Sequence, residues 1–284
     1  MKIAILLTVF NRKDTTIRCL KSLENAIIEF NKIYEYDIDI YITDDGSNDG
    51  TSKEIKANFP EINIIPGTGK LFWGGGMNYA WKNAYQRNLY NYYVWLNDDS
   101  ILFEDSLVTL FSNNDINNNA IIGGAFQSSI TGKCTYGGKI DEQGKFILPS
   151  DKNRELNYIN GNLVLIPNKI FEEVGFIDNI FRHSIGDYDY GLRAQSKGFK
   201  LVLTNKYVGT CERHDENIEK CYTQSTSLKE RLKHLYSPVG PNPIARFVYL
   251  KRHYSISKAM YMFLATNLVT IFPSIKYNNK KNIQ

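Results

Sequence analysis

The chain has 284 residues, of which 43% are hydrophobic and 23% are charged. This length and composition predict a sizeable buried core in one large globular unit or two fused halves, which excludes a disordered protein. The formal net charge is only +4, and no dense basic face is visible in the first part of the chain, so a nucleic-acid partner is not expected.

The four cysteines are widely spaced, at Cys19, Cys134, Cys211 and Cys221. A chain of this size needs no disulfide bonds for stability, so reduced thiols in a reducing compartment are expected. A zinc site on Cys211, His214 and Cys221 is the less economical alternative, because no second closely spaced pair of ligands exists. The opening run from Lys2 to Phe10 is too short for a signal peptide, and we therefore expect a cytoplasmic protein.

Four apolar runs in the first hundred residues predict strands, and each run ends in a polar turn. The runs are Ile3–Phe10, Ile38–Thr43, Ile62–Ile65 and Tyr92–Leu96. Continuous runs that are rich in Ile, Val and Tyr are typical of strands buried on both faces.

Helical patterns lie between these runs. They predict a first helix capped by Asp14, a short second helix that begins near Ser47 to Ser52, and a third helix over Met77 to Tyr90. Alternating strands and helices imply a parallel sheet wound by right-handed crossovers. In such sheets ligands bind at the carboxyl ends of the strands, near the topological switch point.

After residue 100 the predicted elements become shorter, which indicates a second, mixed half. Strands are predicted over Ile121–Phe126, Asn162–Ile166 and Leu201–Thr204, and helices over about 104–112 and 168–175. We expect an α/β fold in three parts, with residues 1–100, 101–225 and a helical C-terminal extension over 226–284.

The C-terminal extension differs in composition from the rest of the chain. Residues from about 226 to 258 are rich in Lys, Arg and His, and Met260–Phe272 is an apolar, helix-like stretch followed by three lysines. The stretch is shorter than the roughly 20 residues that span a bilayer. Two interpretations stay open: a helix that lies on an anionic leaflet, or a helix packed on the protein's own core or on the second subunit of a homodimer.

The Asn97-Asp98-Asp99 turn follows the fourth predicted strand. Two adjacent carboxylates at the end of a buried strand repel each other and lose solvation, which a divalent cation or another positive group offsets. The alternative is that Asp98, Asp99 or Ser100 caps the next helix.

Asp44-Asp45-Gly46-Ser47 ends an earlier strand at the same predicted edge. One of its carboxylates could accept the imide N–H of uracil or thymine, or the Asp-Gly pair could form only a turn.

Gly67-Thr68-Gly69-Lys70 lacks the flanking residues of an NTPase phosphate loop. Gly74-Gly75-Gly76, ahead of the predicted helix that carries Asn78, would let backbone approach a diphosphate or a sugar closely, with a flexible loop as the alternative.

Asp187-Tyr188-Asp189 is a third acidic cluster. A base that deprotonates an acceptor hydroxyl must be ionised at neutral pH and must reach that hydroxyl. Asp189 and Arg193 stand four residues apart and suit a helical ion pair, so Asp187 is the favoured base. His214 is a candidate metal ligand beside the two carboxylates, although an isolated histidine is more often a surface or core residue.

Taken together, these motifs resemble the family 2 glycosyltransferases with a GT-A fold, over most of residues 1–215. Thr8 to Arg12 resembles that family's first strand and loop, Asp44 to Thr51 its nucleotide-binding signature, and Asn97-Asp98-Asp99 its metal-binding Asp-any-Asp motif. Leu71 to Asn78 is similar to the glycine-rich donor loop of bacterial members that build surface polysaccharides, several of them rhamnosyltransferases. Gly186-Asp187-Tyr188-Asp189 resembles the family's Glu-Asp-any-Asp pattern, whose second residue is the base.

The resemblance implies a metal-dependent, inverting transferase that moves a sugar from a UDP or dTDP donor to a hydroxyl of a glycan or lipid-linked acceptor. Asp187 is the implied base, and Asp99 is the implied Mn²⁺ or Mg²⁺ ligand, with His214 in support. The implied donor-binding residues are Thr8, Asn11, Asp44, Asp45, Gly75, Gly76, Asn78 and Asp98.

Two departures from the family pattern keep alternatives open. Asn97 replaces the first aspartate of the metal motif, and Gly186 replaces the glutamate before the base. A catalytically silent sugar-nucleotide-binding or scaffold subunit is therefore one alternative. A sugar nucleotidyltransferase is another, although its glycine-rich, basic N-terminal signature is absent. The expected location is the cytoplasm, at the inner face of the plasma membrane if the C-terminal helix binds lipid.

Overall fold

The computed structural model describes residues 1–112, 119–151, 154–213, 221–223 and 225–274. The chain divides into two compact units. The first unit consists of Met1–Arg182 and Gly186–Arg213, and the second combines His183–Ile185 with the chain after Arg213. The predicted division at residue 100 stays a prediction.

The described strands and helices alternate through the first 96 residues, and several shorter strands follow each other after residue 119. The strands are β1 (Lys2–Val9), β2 (Asp37–Asp44), β3 (Asn63–Pro66), β4 (Tyr92–Leu96), β5 (Ile101–Leu102), β6 (Ala120–Gln127), β7 (Cys134–Tyr136), β8 (Gly138–Lys139), β9 (Arg154–Leu156), β10 (Tyr158–Ile159), β11 (Leu163–Pro167) and β12 (Lys200–Thr210). The helices are α1 (Lys13–Asn31), α2 (Thr51–Asn58), α3 (Phe72–Arg87), α4 (Ser106–Phe111), α5 (Asn168–Val174) and α6 (Gly186–Ser196) in the first unit, and α7 (Leu228–Leu235), α8 (Pro243–His253) and α9 (Ile256–Ile271) in the second.

Ten of the described strands form one sheet in the order β3-β2-β1-β4-β11-β6-β12-β5, with β7 beside β6 and β9 beside β12. Strand β1 is parallel to β2 on one side and to β4 on the other. The chain order therefore reverses at β1, and the carboxyl ends of β1 and β4 lie side by side. This is the topological switch point at which open α/β sheets bind ligands, and the predicted α/β class is confirmed.

The sheet is covered on both faces, as its continuous apolar strands predict. Alternate residues of β1 join two different hydrophobic clusters: Ile5 and Leu7 pack with residues of α1, α2 and α4, whereas Ala4 and Leu6 pack with residues of α3, α5 and α6. Two helical layers thus fix the strands between them and hold the loops at the carboxyl edge.

Two helix starts differ from the prediction. Asp14 does not cap α1, because the helix begins one residue earlier and Asp14 lies in its first turn. The Lys13 N–H donates instead to Asp49 Oδ2 at 3.0 Å, and Asp49 Oδ1 accepts from the Thr51 N–H, at the start of α2, at 3.0 Å. One carboxylate satisfies an N–H group at two helix N-termini, which is favourable for the helix dipoles.

Helix α3 begins at Phe72, five residues before the predicted start. Gly74 and Gly76 are therefore helical, and the predicted loop ahead of the helix is corrected. A Cβ at Gly74 would lie 2.0 Å from the Phe181 carbonyl oxygen, and one at Gly76 would lie 2.0 Å from Thr8 Oγ1. Close packing against neighbouring segments explains these glycines.

The second unit contains α7, α8 and α9, and α9 packs on both of the other helices. Arg231 of α7 is buried and donates from Nε to the Thr270 carbonyl at 2.9 Å and from Nη2 to the Ile271 carbonyl at 3.3 Å. A cation at the last carbonyls of a helix satisfies them and complements the helix dipole. This contact fixes the rotation of α9 about its own axis.

Candidate functional site

Arg12, in the loop after β1, bridges the two carboxylates of the turn after β4. Its Nη1 lies 2.9 Å from Asp98 Oδ1 and its Nη2 lies 3.1 Å from Asp99 Oδ2. Thr16 Oγ1 donates to Asp98 Oδ2 at 3.2 Å. The helix-cap alternative is excluded, since α4 begins only at Ser106 and has no side-chain cap.

The surroundings of Asp98 shift the pKa of its side chain. Its side chain is buried, and this burial raises the pKa of Asp98 to about 6, although the neighbouring Arg12 charge opposes the shift. Two adjacent carboxylates in such a place need a cation. In this structure the guanidinium of Arg12 supplies it, a role that the motifs do not predict. An arginine directly after the first strand was the available signal.

Asp44 and Asp45 are both buried and brace the neighbouring loops. The Asp45 carboxylate accepts from the N–H groups of Gly69 at 2.7 Å, Leu71 at 2.8 Å and Phe72 at 2.9 Å, and so holds the start of α3. Asp44 Oδ1 accepts from the Ser47 N–H at 2.8 Å, and its Oδ2 accepts from a serine hydroxyl of α2. Recognition of a uracil or thymine by either residue stays a prediction.

The loop after β1 is tied to the loop after β2. The Asn11 N–H donates to Ser47 Oγ at 2.9 Å, and Asn11 Oδ1 accepts from the Asn48 N–H at 2.8 Å. Asn11 has a φ of 50°, in the left-handed region that Asn tolerates better than most residues. The loops that carry Asn11 and Asp44-Asp45 are thus one hydrogen-bonded assembly.

The remaining predicted donor contacts lie at or inside α3. Gly75 and Gly76 are buried in its first turns, and Thr8 packs against Gly76. Asn78 is also buried, and its Nδ2 donates to the Ile177 carbonyl at 2.6 Å. The Asn78 contact connects α3 to the segment before α6, and the Thr8 contact connects it to β1. Donor contacts at these four positions stay predictions.

Asp187 lies in the first turn of α6. Its Oδ2 accepts from the Gly161 N–H at 3.0 Å, and its Oδ1 accepts from the Tyr188 N–H at 2.9 Å. Burial raises the pKa of Asp187 to about 6, and the backbone hydrogen bonds oppose that shift. A carboxylate with such a pKa is a stronger base than an ordinary aspartate and is still ionised at neutral pH.

Asp189 has a structural role instead. It is fully buried, and its Oδ2 lies 2.8 Å from Arg193 Nε. Arg193 also donates from Nη1 to the Val174 carbonyl at 2.6 Å and from Nη2 to the Phe176 carbonyl at 2.9 Å. The predicted helical ion pair is confirmed, and it anchors α6 to the segment after α5.

Trp73 and the Gly161-Asn162 segment connect Asp187 with the acidic turn. A Cβ at Gly161 would lie 2.4 Å from the Trp73 ring, whose Nε1 donates to Asn97 Oδ1 at 2.7 Å. The Asn97 N–H donates to the Asn162 carbonyl at 3.0 Å. Asn97 therefore links the acidic turn to the segment that holds Asp187. These hydrogen bonds account for an asparagine in place of the first aspartate of the metal motif.

The space beside Gly186 is too narrow for a larger side chain unless its neighbours move. A Cβ there would lie 3.2 Å from Ile177 Cδ1 and 3.3 Å from Phe181 Cβ. A larger side chain would require these neighbours to move, so packing accounts for the departure from glutamate.

Two thiols flank the acidic turn. Cys211 Sγ donates to Asp99 Oδ1 at 3.7 Å, and Cys19 Sγ donates to the Asn97 carbonyl at 3.4 Å. Burial, followed by the Asp99 charge, raises the pKa of Cys211 to about 12, so this thiol is neutral. All four cysteines are free in this structure, and the reducing compartment stays a prediction. His214 lies outside the described residues, and its metal role and the zinc alternative stay predictions.

The sequence model of glycosyl transferase family 2 matches residues 4–175, more than half of the chain. The chain belongs to glycosyl transferase family 2. The resemblance inferred from the motifs is thereby confirmed. The matched region includes Asp44-Asp45 and Asn97-Asp98-Asp99, whereas Asp187 lies beyond its end. No curated protein matches the sequence significantly.

This family member is similar in fold to solved glycosyltransferases. S. aureus TarS 1–349 in complex with UDP-GlcNAc superposes with a TM-score of 0.56 at 12% identity, over 96% of this chain and 73% of that one. The mannosyltransferase PcManGT from Pyrobaculum calidifontis, in complex with GDP-Man and Mn²⁺, gives a TM-score of 0.54 at 10% identity, over 99% of this chain and 79% of that one. At these identities the likeness concerns the fold alone, and the predicted GT-A fold is confirmed.

Proposed function

We propose that this protein is an inverting glycosyltransferase that moves a sugar, of hexosyl or rhamnosyl type, from a UDP or dTDP donor to a hydroxyl group of a glycan or lipid-linked glycan in surface polysaccharide synthesis. Membership of glycosyl transferase family 2 supports sugar transfer. We include a cytoplasmic location in the proposal, because the four cysteines are widely spaced and none is bonded to another.

The observation that carries the inverting mechanism is the oriented, basic carboxylate of Asp187. In a single displacement the acceptor oxygen bonds to the anomeric carbon while the bond from that carbon to the diphosphate oxygen breaks, so the configuration inverts. Asp187 takes the proton of the acceptor hydroxyl. The N–H groups of Gly161 and Tyr188 fix the orientation of its carboxylate, and its raised pKa increases its proton affinity.

The residues of the acidic turn fit Mg²⁺ or Mn²⁺. These ions take hard oxygen ligands, and Mg²⁺ commonly binds one or two carboxylates together with substrate phosphate oxygens. Within the described ranges no group of three or more His, Cys, Asp or Glu side chains could hold a metal, so donor oxygens would complete the ligand set. Asp99 would hold the ion, supported by His214, and Asp98 would contact the ribose or sugar. The bound ion would neutralise charge on the departing diphosphate.

Asp44 and Asp45 are the two candidates for binding the uracil or thymine of the donor. Of these, Asp44 is the better acceptor for an imide N–H. A carboxylate has about four acceptor positions. Asp45 already accepts three N–H groups that hold the start of α3, whereas Asp44 accepts two hydrogen bonds. We expect the nucleotide base to lie beside Asp44 and Asn11, with the diphosphate nearer to Asp99.

The proposal is tested by the variant Asp187→Asn. The amide keeps one oxygen acceptor and a similar shape but cannot take the proton, so transfer should fall by at least about 10³-fold while donor binding persists. Asp141→Asn, which changes an exposed carboxylate, is the matched control. Product formation and thermal shifts with UDP- and dTDP-sugars are the two measurements.

Near-normal transfer by Asp187→Asn would remove Asp187 from this role. Absence of both transfer and donor hydrolysis in the unaltered protein, despite clear donor binding, would favour the silent subunit. Formation of a nucleotide sugar from a sugar phosphate and a nucleoside triphosphate would identify a nucleotidyltransferase instead.

A further inference from the structure

Helix α9 and its C-cap residue present six large apolar residues to the outside. Tyr261 is 69% exposed and Leu264 is 60% exposed. The exposed stripe consists of Met260, Tyr261, Leu264, Leu268, Ile271 and Phe272. These positions follow the helical spacing of three and four residues, so they form one continuous face. We refer to these six residues as the α9 stripe.

The opposite face of α9 is mixed, with small and polar side chains beside the partly buried Met262, Phe263 and Val269. Ala259 and Thr270 are buried, and Thr266 and Asn267 are partly buried. The Thr270 and Ile271 carbonyls accept from the buried Arg231, which fixes this orientation. A surface helix of a globular protein normally buries its apolar face. Here α9 buries part of its apolar surface, with Phe263 against Phe247 of α8, yet the six residues of the α9 stripe stay exposed. A contiguous exposed apolar face of this kind marks an interaction surface.

The charge of the C-terminal extension indicates the kind of partner. Residues 226–284 contain ten Lys and Arg residues and one acidic residue, Glu230, for a formal charge of +9, whereas residues 1–225 carry −5. Lys251, Arg252 and Lys258, at the end of α8 and the start of α9, are exposed. An apolar stripe within a strongly cationic segment is complementary to a surface that is both apolar and anionic.

We propose that the α9 stripe docks on an anionic lipid bilayer, with α9 parallel to the membrane plane. No helix in the described part of the chain has the length and apolar character needed to cross a membrane. Helix α9 has 16 residues and is therefore about 24 Å long, less than the roughly 30 Å of a hydrocarbon core. The lysines and arginines would contact lipid headgroups, while the stripe enters the boundary with the acyl chains.

A second copy of the chain suits this surface less well than lipid does. Pairing of two α9 stripes would bring together two segments that each carry a formal charge of +9. Repulsion between like charges opposes such an association. The proposal is independent of the sugar-transfer reaction, because it rests on residues of the second unit alone.

The test is sedimentation of the full chain with vesicles of phosphatidylcholine alone or with added phosphatidylglycerol. We expect binding to the anionic vesicles only, and binding should weaken as salt is raised, because salt screens the headgroup charge. The double variant Leu264→Glu/Leu268→Glu should lose at least about tenfold in binding, since each exposed leucine would contribute apolar burial that a carboxylate cannot. Lys251→Glu/Arg252→Glu should also weaken binding.

The matched controls are Leu89→Glu and Ile130→Glu, which change leucine and isoleucine side chains that are 84% exposed but lie outside α9. Both should bind vesicles as the unaltered protein does, and all variants should keep its melting temperature. Absence of binding to the anionic vesicles would overturn the proposal, as would equal loss in the control variants. A dimer in sedimentation-velocity runs that Leu264→Glu/Leu268→Glu converts to a monomer, without vesicle binding, would identify a second copy as the partner.

Discussion

At the scale of single residues, Arg12 links the electrostatics of the site to its chemistry. Its guanidinium contacts both Asp98 and Asp99, the residues proposed to contact donor and metal. A divalent ion that binds Asp99 must therefore compete with Arg12 for the same carboxylate. With such an ion bound, the guanidinium would leave Asp99 and would be available for the negatively charged diphosphate of the donor.

The variant Arg12→Gln separates these two effects. Without metal, the free energy of unfolding should fall by about 1–2 kcal/mol, because two adjacent carboxylates lose their cation. Mn²⁺ should bind the donor-free variant several-fold more tightly, since its competitor is gone. Calorimetric titration with Mn²⁺ and denaturant unfolding measure the two quantities. Arg18→Gln, on the exposed face of α1, is the control, and unchanged Mn²⁺ affinity in Arg12→Gln would contradict the competition.

The raised pKa of Asp187 predicts the pH at which the rate of transfer falls on the acid side. Its folded-state pKa is raised to about 6 by burial, so the basic form is complete above this pH and is lost as the pH falls through it. The rate of transfer should therefore fall below about pH 6 rather than near pH 4, where an ordinary aspartate titrates. Transfer at saturating donor is the measurement, because Asp98, whose pKa is also raised to about 6, is proposed to act on donor binding. A flat profile down to pH 5 in folded protein would contradict this role.

At the scale of elements, the sequence predicts the bounds of a strand well where that strand is buried on both faces. The apolar run at Tyr92–Leu96 matches β4 at both ends. The two- and three-residue strands β5 and β7 to β10 were not predicted, because so short a segment has no periodicity and is defined by its pairing partner. Strand β12 continues to Thr210, six residues past its predicted end, through an irregular pairing with β6 that periodicity does not encode.

The start of α3 was mispredicted for a different reason. Glycine has a low helix propensity, so Gly74 to Gly76 favoured a loop, whereas close packing against Phe181 and Thr8 requires glycine in a helix at this place. In the candidate site, too, local sequence does not predict contacts between distant segments. The acidic residues could be found in the sequence by type and position. The Arg12 contact with Asp98 joins residues 86 positions apart, and only the fold brings them together.

Three adjacent glycines of α3 provide a test of this packing. Gly74→Ala should lower the free energy of unfolding by about 1–3 kcal/mol, since the new Cβ overlaps a backbone carbonyl at 2.0 Å. The new Cβ of Gly75→Ala meets only the Leu71 side chain, with Cβ at 3.3 Å and Cδ2 at 3.7 Å, and the variant gains helix propensity of up to about 1 kcal/mol. Denaturant unfolding compares the two variants. Equal destabilisation by both would show that backbone flexibility, and not close packing, selects glycine here.

At the scale of the whole molecule, charge and chemistry are segregated along the chain. The residues proposed for transfer, apart from His214, belong to the first unit, in the part of the sequence with a formal charge of −5. The cationic extension belongs to the second unit and carries the α9 stripe. A soluble donor and a membrane-bound, lipid-linked acceptor would suit such a division.

The inverting mechanism is best tested by the anomeric configuration of the first transfer product. A panel of UDP- and dTDP-sugars is incubated with Mn²⁺ and alkyl glycoside acceptors, and the new linkage is assigned by NMR against the configuration of the donor. The proposed single displacement, with Asp187 as base, predicts a linkage of opposite configuration to the donor and loss of that product in Asp187→Asn. A product that retains the donor's configuration would contradict it.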